Sequence, residues 1–449
     1  MMVVTTTMIL VVVGVLLLLW RARRRRGGVY LVEYGCFLGE PRHRVPFAMA
    51  LEHGRLMTNL LDEESTNFMV RLHQKSGIGE ETSVPDSFRY LPPERGIEAS
   101  REETELVIFS AVDKAFAAAT GLVPAADIGT LIVACSFTTP TPALADVVVR
   151  RYGLRADVRS VNLSGMGCSG ALIAIGLAEN LLRVAPPGSR VLIVATEILS
   201  SMLYTGRKRE MLVPNVLFRM GAAAIIMSNS PEKARFRRGP IVRTLTAARD
   251  GDYRCAFQEE DAEGITGINL SKELPVVAAN ALKGHLVAFG LAVLPTSELL
   301  RVAISFINHK IINKFFTTTK DSNNNYYRPG FHRLFQHFCI HPGGRRVLDE
   351  VQRGLGLTDD DMEASHMTLH RFGNMASSSL LYELAYIEAK GRMRKGDRVC
   401  MISFSPGIDC SSVVWECIKP TDHHLHHGPW AACIDRYPVQ LPKIVKRTA

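Results

Sequence analysis

Residues 158–196 read VRSVNLSGMGCSGALIAIGLAENLLRVAPPGSRVLIVAT. The first six residues alternate as a strand. Gly165 and Gly167 turn the chain, and residues 168–182 carry a helical run that ends before Pro186-Pro187-Gly188. Residues 190–196 (RVLIVAT) carry an unbroken apolar run over 191–195, as in a strand covered on both faces. Strand, helix and strand in that order predict an α/β fold with a layered sheet.

The same grammar extends in both directions. Residues 103–119 read as a helix, 128–136 (IGTLIVACS) as a buried strand and 142–152 as a short helix. Late in the chain, 343–353 and 377–390 read as helices, and 365–369 and 399–404 as strands. Two similar α/β halves follow from this, although no literal repeat is visible. The first half is expected over residues 101–279 and the second over 334–449. Residues 27–100 form a mixed membrane-proximal segment with one strand near its start. Residues 280–333 form a variable connection whose polar run, Asp321-Ser322-Asn323-Asn324-Asn325, has no core-forming capacity.

The chain has 449 residues, 47% of them hydrophobic and 22% charged, which excludes a disordered or collagen-like protein. Net charge is +9, but Arg21 and Arg23–Arg26 supply five positives; without them the excess is about +4, too small and too scattered for nucleic acid. Nine cysteines, with no CxxC spacing, indicate a reducing compartment and no zinc. The run His423-His424-Leu425-His426-His427 lacks companion ligands and reads as an exposed loop.

Residues 3–20 are apolar and uncharged, about 27 Å long as a helix. That length just spans a thin bilayer, with Trp20 at one interface. The arginines follow the apolar run instead of preceding it, and no A-x-A site comes after, so a cleaved signal peptide fits poorly. Residues 1–26 are therefore expected to be a transmembrane anchor plus polybasic stretch that attracts anionic lipid, with the rest of the chain cytosolic.

Chemistry concentrates in three short stretches. In NLSGMGCS (162–169), Cys168 stands between a glycine turn and a helix start, where free N–H groups and the helix dipole favour thiolate. A core cysteine needs no flanking glycines. In HFCIHPGG (337–344), His341 ends an apolar run at a glycine turn. In HRFGNMASSS (370–379), Asn374 sits on a turn before small residues. Alone, one is a core histidine and the other a helix cap. Together their N–H groups can converge on one oxyanion.

These three motifs resemble the Cys–His–Asn triad of thiolase-like condensing enzymes, and the branch most similar is the plant 3-ketoacyl-CoA synthases. VYLVEYGC (29–36), SGIGEET (76–82), RYGLRADVRSVNLSGMGCSG (151–170), FRMGAAA (218–224), DYRCAFQEED (252–261), LSKEL (270–274) and GPWAACIDRYPV (428–439) carry the resemblance over nearly all of the chain after Gly28. It implies a thiolase-like duplicated α/β/α/β/α fold with an N-terminal transmembrane anchor. It implies a very-long-chain 3-oxoacyl-CoA synthase, which joins malonyl-CoA to a long-chain acyl-CoA by decarboxylative Claisen condensation for wax, suberin or seed lipid. Cys168 would carry the acyl group and His341 and Asn374 the malonyl thioester oxygen. His337 and His370 would support them, and the N–H of Gly407 would help at the second oxyanion. No cofactor is implied beyond the two CoA substrates. The implied setting is a homodimer in the endoplasmic reticulum membrane, working with ketoacyl reductase, dehydratase and enoyl reductase subunits.

The sequence departs from the family at Val216, where cysteine is usual, at Leu245, where histidine is frequent, and in the loop Ser405-Pro406-Gly407-Ile408-Asp409-Cys410, where the family has glycine, phenylalanine and lysine. A degradative thiolase would need a second catalytic cysteine in a glycine-rich loop, and Cys410 has only Gly407 nearby. A chalcone-type polyketide synthase shares the triad but is soluble. A silent, membrane-tethered acyl-CoA-binding subunit draws only on the altered loop.

Overall fold

The computed structural model describes residues 28–57, 60–119, 123–315, 330, 333–421 and 428–441. The anchor segment 1–26, the polar run 321–325 and the histidine run 423–427 lie outside the described residues.

The apolar runs fold as strands: β1 (Tyr30–Cys36), β2 (Ile128–Ala134), β3 (Arg159–Leu163), β4 (Arg190–Glu197), β5 (Gly221–Ser228), β6 (Phe236–Leu245), β7 (Ala256–Glu260), β8 (Thr266–Leu270), β9 (His337–Ile340), β10 (Arg398–Ser405) and β11 (Asp409–Cys417). Strands β7 and β8 pair with each other, and the remaining nine form one ladder in the order β3-β2-β4-β5-β1-β6-β11-β10-β9. Its two ends repeat one pattern. In the first, β2 runs parallel to β4, β4 antiparallel to β5 and β5 antiparallel to β1. In the second, β9 runs parallel to β10, β10 antiparallel to β11 and β11 antiparallel to β6. This is the duplication, and the β1–β6 ladder joins the copies.

The helices are α1 (Phe47–Leu56), α2 (Glu63–Ser76), α3 (Ile97–Ala118), α4 (Leu144–Tyr152), α5 (Gly170–Val184), α6 (Arg209–Leu217), α7 (Asp250–Arg254), α8 (Leu274–Val293), α9 (Thr296–Phe315), α10 (Arg345–Leu355), α11 (Asp359–Phe372) and α12 (Ser379–Ala389). Alternation along the strands sets the layers. Val191 and Ile193 of β4, and Val399 and Met401 of β10, share one core with α5 and α12. Leu192 and Val194 face α3 and α4 in a second core, while Cys400 and Ile402 face α8, α10 and α11 in a third. Helix α5 touches β2 and β4 of one copy and β11 of the other, so the two copies enclose a central helical layer. The result is five layers, α/β/α/β/α.

Three expectations are corrected. Residues 365–369 lie inside α11, because Thr358 caps the helix by accepting from the N–H of Asp361 and three aspartates fill its first turn. Residues 280–333 are not all connection: they take in most of α8 and the whole of α9. The irregular stretch 27–100 holds α1 and α2, the latter capped by Asp62 and closed by Gly77 in the left-handed region. Its strand β1 is a central strand, bonded to β5 and β6.

Candidate active site

Cys168 lies in a 3-10 turn, Gly167–Ser169, one step ahead of α5. Gly167 has φ 54, and a Cβ on it would stand 2.5 Å from Cδ of Pro406. Only glycine lets the turn pass this close to the loop between β10 and β11. All nine cysteines are among the described residues, and Cys168 is the one that is not buried. Helix α5 behind it buries Ala171, Leu172, Ala174, Ile175 and Ala178, as the lack of charge over 171–178 requires.

His341 follows β9, and its backbone N–H donates to the carbonyl of Ile402 at 2.9 Å. The next residue of β10, Ser403, donates its hydroxyl to the carbonyl of Cys168 at 2.8 Å. Adjacent residues of one strand therefore hold the histidine and the cysteine. Asn374 is tied to the segment after α6: its N–H donates to Leu217 and its carbonyl accepts from the N–H of Arg219. The 3-10 turn Ala376–Ser378 that follows meets the Cys168 turn, where a Cβ on Gly170 would stand 3.4 Å from Cβ of Ser377. Thus the three elements converge at one end of the sheet.

The side chains are poised rather than satisfied. The His341 imidazole is 3% exposed, and neither ring nitrogen has a partner. Burial pushes it down to about 3, so the ring is neutral, with one N–H donor and one lone pair. Asn374 is 2% exposed; its Oδ1 accepts from the N–H of Ala376 at 2.9 Å, and its Nδ2 amine has no partner among the described residues. Ala376 and Ile408 are two of the three described non-glycine residues with positive φ, and both border this end. Such backbone costs about 1–3 kcal/mol and marks sites over-determined by their surroundings.

The cysteine differs from expectation. Burial, with the charge of Glu197 adding to it, pushes the Cys168 thiol up to about 12. Desolvation outweighs the helix start, so the resting group is a thiol and its proton must leave during the reaction. Glu197 itself was not foreseen. It ends the apolar strand β4, is buried, and accepts from the N–H of Phe137 at 2.9 Å, from the N–H of Ser136 at 3.1 Å and from Cys135 Sγ at 3.4 Å. Ser136 Oγ in turn accepts from the N–H of Gly167 at 2.7 Å, so Glu197 positions the Cys168 turn through the 136–137 loop. Burial pushes its carboxyl up to about 7. The signal in the sequence was a carboxylate closing RVLIVATE, a strand otherwise buried throughout.

The supporting residues lie elsewhere. His337, at the opposite end of β9, bonds Asp397 at 2.9 Å. His370, on α11, meets the Tyr437 hydroxyl at 3.3 Å and packs on Gly79. Gly407, with φ 73, has Ala247 and Leu245 as its neighbours, and Pro406, which has no N–H, is the residue that reaches the Gly167 turn. Among the described residues no group of three His, Cys, Asp or Glu is placed to hold a metal ion.

A cavity that is partly open to solvent lies between α1, α2 and α6. Met49, Met57, Leu61, Met69 and Val216 line it, and Arg219 closes its inner wall. Arg219 is buried, donating to Thr82 Oγ1 at 2.9 Å and to the carbonyls of Val216 and Phe218. The wall segment 216–219 is the one that holds Asn374.

Two family models match the chain. Residues 20–311 match the FAE1/type III polyketide synthase-like protein family, and 335–417 match the C-terminal part of 3-oxoacyl-[acyl-carrier-protein] synthase III. Solved structures agree on the fold. CsyB complexed with CoA-SH superposes with TM-score 0.67 at 23% identity, and the fungal type III polyketide synthase ORAS with 0.65 at 21%; each match covers 87% of this chain and 100% of the other. The fold is a duplicated thiolase-like one in which a single strand holds a glycine-turned cysteine and a buried histidine, and the chain belongs to the FAE1/type III polyketide synthase-like family of condensing enzymes.

Within it, the chain belongs with the 3-ketoacyl-CoA synthases. It is 48% identical to 3-ketoacyl-CoA synthase 6 of Arabidopsis thaliana over 422 residues, 93% of this chain and 82% of that one. It is 46% identical to 3-ketoacyl-CoA synthase 5 of the same plant, over 93% of this chain and 83% of that one.

Proposed function

We propose that the chain condenses malonyl-CoA with a long-chain acyl-CoA to give a 3-ketoacyl-CoA, the first step of very-long-chain fatty-acid elongation, with Cys168, His341 and Asn374 as its catalytic residues. The observation that carries the assignment is the His341 imidazole: a neutral ring, buried with both nitrogens unpartnered, held by the strand that also holds Cys168. Both ring nitrogens are therefore free to bond a bound substrate.

Cys168 Sγ attacks the acyl-CoA carbonyl; the thioester forms, CoA leaves as its thiol, and the Cys168 proton passes through His341 to the departing sulfur. Malonyl-CoA then loses CO₂. Charge gathers on its thioester oxygen, where the N–H of His341 and the amine of Asn374 donate. The enolate carbon attacks the acyl–Cys168 carbonyl, the C–S bond breaks and the sulfur takes up a proton. The backbone N–H of Cys168 serves the second oxyanion. The acyl chain is assigned to the cavity between α1, α2 and α6. The chain is anchored by residues 1–26 in the endoplasmic reticulum membrane with its catalytic body in the cytosol, as a homodimer beside the other elongase subunits.

The test separates the half-reactions. Asn374→Ala, given labelled acyl-CoA alone, should still acquire label on Cys168, and should make no 3-ketoacyl product when malonyl-CoA is added. Asn374→Asp places a carboxylate against the developing enolate at nearly constant volume. Elongation by that variant at the wild-type rate removes Asn374 from the mechanism.

A further inference from the structure

Helix α8 is long and apolar enough to cross a membrane by length and composition, yet it is docked on the sheet. His285 bonds Thr244 Oγ1 at 2.9 Å through one ring nitrogen and Ser412 Oγ at 2.6 Å through the other. Its inner face, with Ala281, Leu282, Phe289 and Val293, belongs to the third core. Its outer face leaves Val276 and Val287 exposed, Val287 at 67%. Helix α9 follows at once, and among the described residues no strand or helix makes an extended packing contact with it. Leu300 and Ile304, one turn apart, are about half exposed. By sequence, the helix continues with Phe306, Ile307, Ile311 and Phe315, interleaved with Lys310 and Lys314. That is the composition of a helix lying in a membrane interface.

The sheet register says which way this helix pair points. Tyr30, four residues after Arg26, pairs with Arg237; Arg237 pairs with Glu416, and Glu416 with Arg398. Gln336 donates to the carbonyl of Arg398, and the neighbouring Phe335 stacks on Phe289 of α8 at 5.9 Å. The end of α8 that leads into α9 therefore lies at the edge of the sheet where the chain arrives from its apolar and arginine-rich N-terminal segment. The turn before β10 adds exposed Arg394 and Lys395 at the same edge, and Arg333 is exposed just before Phe335. Cys168 and His341 follow the opposite ends of their strands.

We propose that α9, with the exposed face of α8, is a second membrane contact: it lies in the headgroup and outer acyl region of the leaflet that residues 1–26 leave, and the basic edge of the sheet faces the anionic headgroups. The inference rests on the anchor reading of residues 1–26. The two contacts together fix the body on the bilayer with its catalytic end turned away, an orientation a single contact cannot set.

The experiment uses the full chain in vesicles of phosphatidylcholine and phosphatidylserine. A trace of phosphatidylcholine carries a photoreactive diazirine on one acyl chain. After illumination and digestion, label is expected both in residues 3–20 and in the 296–315 peptide. Leu300→Glu with Ile304→Glu should lower the label in 296–315 at least fivefold and leave that in 3–20 unchanged. Label confined to 3–20 in the wild-type chain overturns the second contact and leaves the anchor standing. So does a 296–315 signal that the double variant does not reduce. Absence of label from 3–20 overturns the anchor reading by itself.

Discussion

His341→Leu is expected to make a more stable and nearly inactive protein. Both ring nitrogens are buried and unpartnered, and the ring has been pushed to about 3, so the folded state bears its desolvation without compensation. A buried polar group left unsatisfied costs about 1–3 kcal/mol. Leucine has similar bulk and nothing to satisfy, so the variant should gain about 1–2 kcal/mol and melt roughly 1–2 °C higher. The same change removes one donor from the malonyl oxyanion, worth ~3 kcal/mol, and malonyl-CoA-dependent product should fall on the order of 10²- to 10³-fold. Purified protein would be melted by intrinsic fluorescence without substrate, and turnover followed with labelled malonyl-CoA. A variant that melts below wild type and elongates within threefold of it would refute the reasoning on both counts. It would make His341 a packed core histidine.

Cys168 should be the only residue to hold acyl label when labelled acyl-CoA is given without malonyl-CoA; label mapped to Cys339 or Cys410, both buried, would move the nucleophile. Val216→Trp fills the cavity beside Asn374 and should shorten the longest 3-ketoacyl product, read by mass spectrometry across an acyl-CoA panel; an unchanged product range takes the acyl chain out of that cavity. Glu103 and Glu197 are each pushed up to about 7, chiefly by burial. Their folded values lie above the ordinary 4.5, so the folded state keeps these protons longer than the unfolded chain does. Stability from this source is full below about pH 4.5 and falls as pH rises to about 7, by up to about 3 kcal/mol per glutamate. Glu103→Gln should flatten the decline of melting temperature over that range, and an unaltered slope would show that burial does not hold the proton.

What the sequence disclosed, it disclosed through backbone constraint and burial. Glycines on either side of a cysteine report a turn that nothing larger can make, and Gly167 against Pro406 is that turn. Uninterrupted apolar runs reported β2, β4 and β10. Strand β6 was harder to see because three arginines, Arg237, Arg238 and Arg243, give it the look of a surface segment. Each is paired across the structure, with Glu416, Glu179 and Asp409, and a pair distant in sequence leaves no local trace. Helix α8 is apolar nearly all round and so has no helical stripe to detect. The segment 365–369 alternates like a strand, but Thr358 had already committed the chain to a helix seven residues earlier. Glu197 showed in the sequence only as a carboxylate closing an apolar strand, and its importance lies in the N–H groups of Ser136 and Phe137, some sixty residues away.

Strand β10 grips His341 by the carbonyl of Ile402 and Cys168 by the hydroxyl of Ser403, which makes the two proposed reacting groups passengers on one rail. Their backbones cannot drift apart without breaking one of these two hydrogen bonds. A two-step condensation has to admit two CoA esters in turn and discharge CoA between them, so something must open and close twice in each cycle. The rail excludes the catalytic groups from that traffic. The gate has to be found among parts not bolted to it, which leaves out the 405–408 turn, since Ser405 ends β10 and pairs with Asp409 of β11.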